Sequence, residues 1–302
     1  MKKTLLFLLL FSNLTIRGFG QTPTPSNYII FFDFSSRIEN PYQPQKDKEL
    51  IKHLVTNFRQ KVEGLYKSGY IYSEDKLNIL FYPDLDDENI LSLTSSMSID
   101  FGSRDFKTRL NYFINQFPKQ GTPKILTTFD KIYDIALKQN PNYFGSNIYD
   151  FFSYSIDYYL KENYNNHIII FTDGYMYMAG ENPERVGNTL GHIEGSILDP
   201  LRSSANWQKE FKLGEWKIVS SGNKLKNKTT VTLLEVTPDC IQNSSTPRTR
   251  LRPLKQCPNE FKILERLWTN WFLDMGVENN DIQIIRTSND LNGIKSALNH
   301  LF

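Results

Sequence analysis

Two short apolar runs, each closed by an aspartate, constrain this chain more than anything else in it. Tyr28-Ile29-Ile30-Phe31-Phe32 ends at Asp33, and His167-Ile168-Ile169-Ile170-Phe171-Thr172 ends at Asp173-Gly174. A short run that is apolar on both faces and bounded by polar residues predicts a strand covered on both sides, as at the centre of a parallel sheet. In an open sheet of that kind, ligands bind beyond the carboxyl ends of the strands, where the strand order reverses. If the two strands are neighbours there, the carboxylates converge, and two close carboxylates either share a proton or hold a cation.

The rest of the chain supplies the layers such a sheet needs. Residues 46–68 carry Leu50, Ile51, Leu54, Val55, Phe58, Val62 and Leu65 at helical spacing, one buried stripe. Residues 104–117, 124–138, 147–161 and 261–275 read as further helices, and Ser288 as the cap of a last one. Residues 77–82 and 281–285 read as strands, residues 90–99 as a weak edge strand, and 216–220 with 229–236 as a hairpin around Gly222-Asn223. Residues 175–215 show no clean period and contain Gly180, Gly187, Gly191, Gly195 and Gly214, which suggests an insertion with short helices. A second insertion is expected at about 238–258. Strands alternating with amphipathic helices predict a three-layer α/β domain over 28–302, with a mostly parallel central sheet and helices on both faces. Residues 21–27 read as a linker.

Residues 1–20 do not belong to that domain. Lys2 and Lys3 precede the apolar stretch Leu5 to Phe11, and Gly18-Phe19-Gly20 supplies small residues ahead of Gln21. This is the pattern of a secretory signal peptide, too short for a stable membrane span, so an exported protein, periplasmic or secreted, is expected. Loss of residues 1–20 removes Lys2, Lys3 and Arg17 and no acid, taking the formal net charge from +2 to −1. A near-neutral mature chain argues against nucleic acid as the partner. In an oxidising compartment Cys240 and Cys257 are expected to form one disulfide closing a local loop, contributing on the order of 3 kcal/mol. Two cysteines and four scattered histidines offer no zinc-ligand spacing.

Asp33-Phe34-Ser35-Ser36-Arg37 resembles the Asp-x-Ser-x-Ser opening of the metal-ion-dependent adhesion site in von Willebrand factor A domains. Thr172-Asp173-Gly174 after an apolar strand resembles the motif that completes that site, and Gly145-Ser146-Asn147-Ile148 opens a helix where the family places its metal-binding threonine. The resemblance implies that Ser35 and Ser146 bind Mg or Mn directly, that Asp33 and Asp173 act largely through coordinated waters, and that a partner's carboxylate completes the octahedron. Ser36 is a further oxygen donor, and Thr127 or Thr128 stand as alternatives to Ser146. Arg37 departs from the motif, because it occupies the place of the second serine and cannot ligate a cation. It would either neutralise Asp33 and Asp173 as a counter-ion or point away from them.

The expected function is therefore binding of a protein or cell-surface ligand at this edge, with no enzymatic activity. Two alternatives stand beside it. One is a metal-free structural subunit of an envelope assembly. The other is a Mg-dependent hydrolase resembling the haloacid dehalogenase-like phosphatases, although that family has an aspartate where this chain has Ser35.

Overall fold

A computed structural model describes residues 23–67, 73–82, 88–139, 146, 148–176, 187–225, 228–238, 257 and 259–302. Six strands form the main sheet: β1 (Ser26–Asp33), β2 (Lys76–Tyr82), β3 (Ile99–Asp100), β4 (Asn165–Phe171), β7 (Thr229–Val236) and β8 (Ile282–Arg286). Their order is β3-β2-β1-β4-β7-β8, all parallel except β3, which pairs antiparallel with β2. This is the three-layer α/β architecture read from the sequence.

The order explains where a site belongs. From β1 the chain moves outward to β2 and β3, then returns to the other side of β1 to lay down β4, β7 and β8. The reversal point lies between β1 and β4, the two strands that end in Asp33 and just before Asp173. Their register pairs Phe32 with Phe171, so the residues that follow leave the sheet together.

Alternation along β1 divides the core into two layers. Tyr28, Ile30 and Phe32 join one cluster with α1 (Gln43–Lys67), α2 (Glu88–Met97), α4 (Thr122–Gln139) and α9 (Leu291–Leu298). Ile29 and Phe31 join the other, with the helix running through Ile148–Asp150, Phe151–Ser155 and Ile156–Tyr159 (α5) and with α8 (Glu260–Asp274). Phe32 stacks on Phe171 with ring centroids 4.2 Å apart and meets Phe129 of α4 edge-on at 5.1 Å.

Several local expectations are corrected. The strand β1 begins at Ser26, and Ser26 and Asn27 are buried, so the linker is shorter than 21–27. Residues 90–97 are helical, with only Ile99–Asp100 left as the edge strand. The hairpin does not form: Lys217–Ile218 (β6) pairs in parallel with Thr189–Leu190 (β5), while β7 enters the main sheet between β4 and β8. Residues 104–139 run on through α3 (Phe106–Asn111), a π-helical stretch Tyr112–Gly121 and α4. The last helix is capped by Asp290, whose carboxylate accepts the Gly293 N–H at 3.0 Å, while Ser288 Oγ accepts the Asp290 N–H. Between β5 and β6 lie the short helices α6 (Asp199–Arg202) and α7 (Trp207–Leu213). The expected signal peptide and most of the segment 238–258, Cys240 included, lie outside the described residues. Cys257 is buried, and its pairing with Cys240 stays an expectation.

Candidate functional site at the sheet switch point

Asp33 is fully buried at the end of β1. Its Oδ1 accepts the Ser35 N–H at 2.8 Å, which closes a tight turn, and its Oδ2 accepts the Thr172 hydroxyl at 2.8 Å. That second bond ties the two strand ends across the switch point. Thr172 Oγ1 in turn accepts the Gly174 N–H at 3.1 Å. Asp173, almost buried, accepts the Tyr175 N–H on Oδ1 at 3.0 Å, and its carbonyl accepts from Thr237 N at 2.9 Å. The turn after Asp173 needs its glycine. Gly174 has φ +93°, its carbonyl accepts the Trp268 indole N–H at 2.9 Å, and a Cβ there would lie 2.9 Å from Val236 Cγ1.

Burial raises the Asp33 carboxyl above the usual carboxylate range. The nearby Arg37 charge, the Thr172 hydroxyl, the Ser35 amide and, least of these, the Ser35 hydroxyl act against that shift without cancelling it. A carboxylate so placed gains most from a positive charge brought into reach.

Ser35 and Ser146 are both buried, and neither hydroxyl has a hydrogen-bond partner among the described residues. Leaving a buried hydroxyl unsatisfied costs about 1–3 kcal/mol, so two such serines call for an explanation. Ser35 sits directly after the Asp33 strand at the head of the short 3-10 turn Ser36–Glu39, and its side chain does not cap that turn. Ser146 precedes α5, whose Ile148, Phe151 and Phe152 pack under β1. Ser36 is exposed. Of the alternatives to Ser146, Thr127 is occupied, donating to the Pro123 carbonyl at 2.9 Å, and Thr128 is buried on α4.

Arg37 points away from the Asp33 and Asp173 carboxylates, into the protein rather than to solvent. Its guanidinium is buried and forks onto Asp47 of α1 with two bonds of 2.9 Å, while Nη1 also reaches the Asp33 carbonyl at 3.2 Å. Asp47 is completed by Gln43 Nε2 at 2.8 Å and by the Tyr133 hydroxyl. Burial, and then the Asp47 charge, hold the Tyr133 phenol well above its ordinary range. The guanidinium is thus neutralised mainly by Asp47, a partner of its own.

A further buried carboxylate close by has no counterpart in the sequence reading. Glu235, at the β7 irregularity, has φ +74°, pairs with Lys46 at 2.5 Å and accepts from Thr287 Oγ1 at 3.1 Å. Its Oε1 is buried without a partner. Neighbouring Leu234 accepts from Thr172 N at 3.0 Å, so Glu235 sits one strand over from the site. For Asp47 a sequence signal existed. Gln43, Asp47, Ile51 and Val55 recur every four residues, which puts a carboxylate on the buried stripe of α1 and demands a buried cation opposite it. For Glu235 there was none, because an irregularity in strand register has no local signature.

Among the described residues no three His, Cys, Asp or Glu side chains form a metal-holding group. A cation here would depend on Asp33 and Asp173 together with serine hydroxyls, an all-oxygen donor set that suits a small hard ion. The two unpartnered hydroxyls fit that chemistry. Compared with models of protein families, with curated proteins and with solved structures, the chain matches none of them.

Proposed function

We propose that this chain is an exported binding module that holds an acidic group of a protein or surface ligand through a divalent cation, Mg or Mn, at the Asp33–Asp173 edge. The observation that carries the reading is that the Ser35 and Ser146 hydroxyls are buried and unpartnered among the described residues, while Asp33 and Asp173 follow the two strands that flank the switch point. When bound, the ion would supply a Lewis-acidic position at which a carboxylate oxygen of the ligand can sit. The chain's own groups prepare for this. The Ser35 amide and Thr172 hydroxyl fix the Asp33 carboxylate, Tyr175 N–H fixes that of Asp173, and Asp47 keeps the Arg37 charge occupied. Among the described residues no helix is long and apolar enough to cross a membrane.

The test is thermal unfolding with and without Mg²⁺, Mn²⁺ and Ca²⁺. Saturating ion at about a hundred times its Kd adds roughly 2.7 kcal/mol to stability, a rise of several degrees, and Asp173→Ala abolishes it. No shift with any of the three ions sinks the metal reading. The alternative, a metal-free structural subunit, draws support from the Arg37–Asp47 pair, which braces the turn after β1 without an ion. It expects the same unfolding curve with ion or chelator.

A further inference from the structure

The turn that carries Asp173 is braced by residues far from it in sequence. Tyr175 is held at both ends: its N–H donates to Asp173 Oδ1 at 3.0 Å, and its phenol donates to Glu260 Oε1. Glu260 is the first residue of α8 and is fully buried. A carboxylate in the first turn of a helix gains from the free amides there, but one removed from water also needs a positive partner. Arg202 supplies it. Its Nε donates to Glu260 Oε1 at 2.8 Å and its Nη2 to the same oxygen, while Nη1 reaches Asp199 at 3.3 Å. The Arg202 and Glu260 side chains are 7% and 0% exposed.

Arg202 closes α6, in the insertion between β4 and β7. That insertion returns to the Asp173 turn directly after Tyr175, where Met176 and Ile193 exchange backbone hydrogen bonds of 3.1 and 2.7 Å. Leu198 and Leu201, beside Arg202, are buried in the cluster that holds Leu264 and Trp268 of α8. α8 in turn meets the Asp173 turn twice, through Glu260 on the Tyr175 phenol and through Trp268 on the Gly174 carbonyl at 2.9 Å. The two contacts lie roughly two helical turns apart. One carboxylate oxygen thus joins the insertion, α8 and the residue whose amide fixes Asp173.

We infer that Arg202 is a positioning residue for the Asp33–Asp173 edge: through Glu260 and the Tyr175 phenol it fixes the Tyr175 amide on Asp173, so the insertion sets how tightly the edge holds its cation. The inference rests on the ion-binding reading above. Its test titrates the full chain with Mn²⁺ and reads the free ion by electron paramagnetic resonance, since the aqua ion's signal broadens away on binding. Tyr175→Phe keeps the ring and the amide and loses one hydroxyl, and it decides the test if Arg202→Met fails to fold. Each variant is expected to weaken Mn²⁺ binding about fivefold, the effect of roughly one lost hydrogen bond. Arg202→Lys, which keeps the charge, should fall between Arg202→Met and the wild type. The double variant Tyr175→Phe/Arg202→Met should bind no more weakly than the worse single one, because both act through Glu260. A pair that merely pinned the insertion would lower the melting temperature and leave the Kd of the folded protein alone. Lys262→Met, which removes the exposed Lys262–Glu265 pair on the same helix, is the control and keeps the wild-type Kd. A wild-type Kd in Tyr175→Phe, or losses that multiply in the double variant, would overturn the inference and leave the ion reading standing. No uptake of Mn²⁺ by the wild-type chain would overturn both.

Discussion

Arg37 and Asp47 meet with side chains only 3% and 0% exposed, so their pairing is set by desolvation as much as by attraction. Removing one partner strands the other's charge in the core. Arg37→Ala is expected to cost about 3–5 kcal/mol in urea unfolding, and Arg37→Met combined with Asp47→Leu should recover most of that loss. A loss under 1 kcal/mol for the single change, on the scale of an exposed pair, would mean the two charges are screened by solvent. His167 gives a test by pH. It stacks on Tyr28 with centroids 4.7 Å apart, lies near Thr230 Oγ1 at 2.8 Å, and is pushed down to about 3, first by burial and then by Lys61. Between pH 6.5 and about 3 the unfolded chain takes up a proton that the folded one refuses, so folding weakens as the pH falls through that window. The slope reaches at most about 1.4 kcal/mol per pH unit. Relative to the wild type, His167→Gln should flatten the dependence in that window and leave it alone above pH 7. Parallel curves would contradict the assignment.

At the scale of elements, the turn after β4 depends on Gly174. With φ +93° and Val236 pressed against the missing Cβ, Gly174→Ala is expected to cost about 1–3 kcal/mol, read as a shift in the denaturation midpoint. The central strands were legible because β1 and β4 are apolar on both faces, a pattern only a covered strand tolerates. The periphery was less so. Residues 90–97 carry Ile90, Leu93 and Met97 at helical spacing beside the exposed Leu91, and packing of that face against β2 and α4 decides their helical state. The misread hairpin has a similar cause. Gly222-Asn223 is a local turn signal, but β7 is recruited by pairing with β4, more than sixty residues earlier in the chain, as in the Ile168–Val231 match. At the site, Asp33 and Asp173 were readable as strand ends, and so were the serines beside them. The role of Thr172 in bridging the strands, and the partner of Arg37, required the tertiary fold, because both contacts join distant segments.

For the whole molecule, the strand order is what brings the ends of β1 and β4, and with them Asp33 and Asp173, to one edge of the sheet. β1 and β4 flank the reversal of strand order in the main sheet, and the hydrogen bond from Thr172 to Asp33 joins their ends there. The central claim is that the buried serine hydroxyls wait for a cation. The most direct test is a crystal structure grown with Mn²⁺, examined by anomalous scattering. The account predicts an ion about 2.0–2.2 Å from Ser35 Oγ and Ser146 Oγ, with Asp33 and Asp173 close around it and Arg37 still on Asp47. Anomalous density absent from the switch point, with both hydroxyls turned to protein partners, would contradict it.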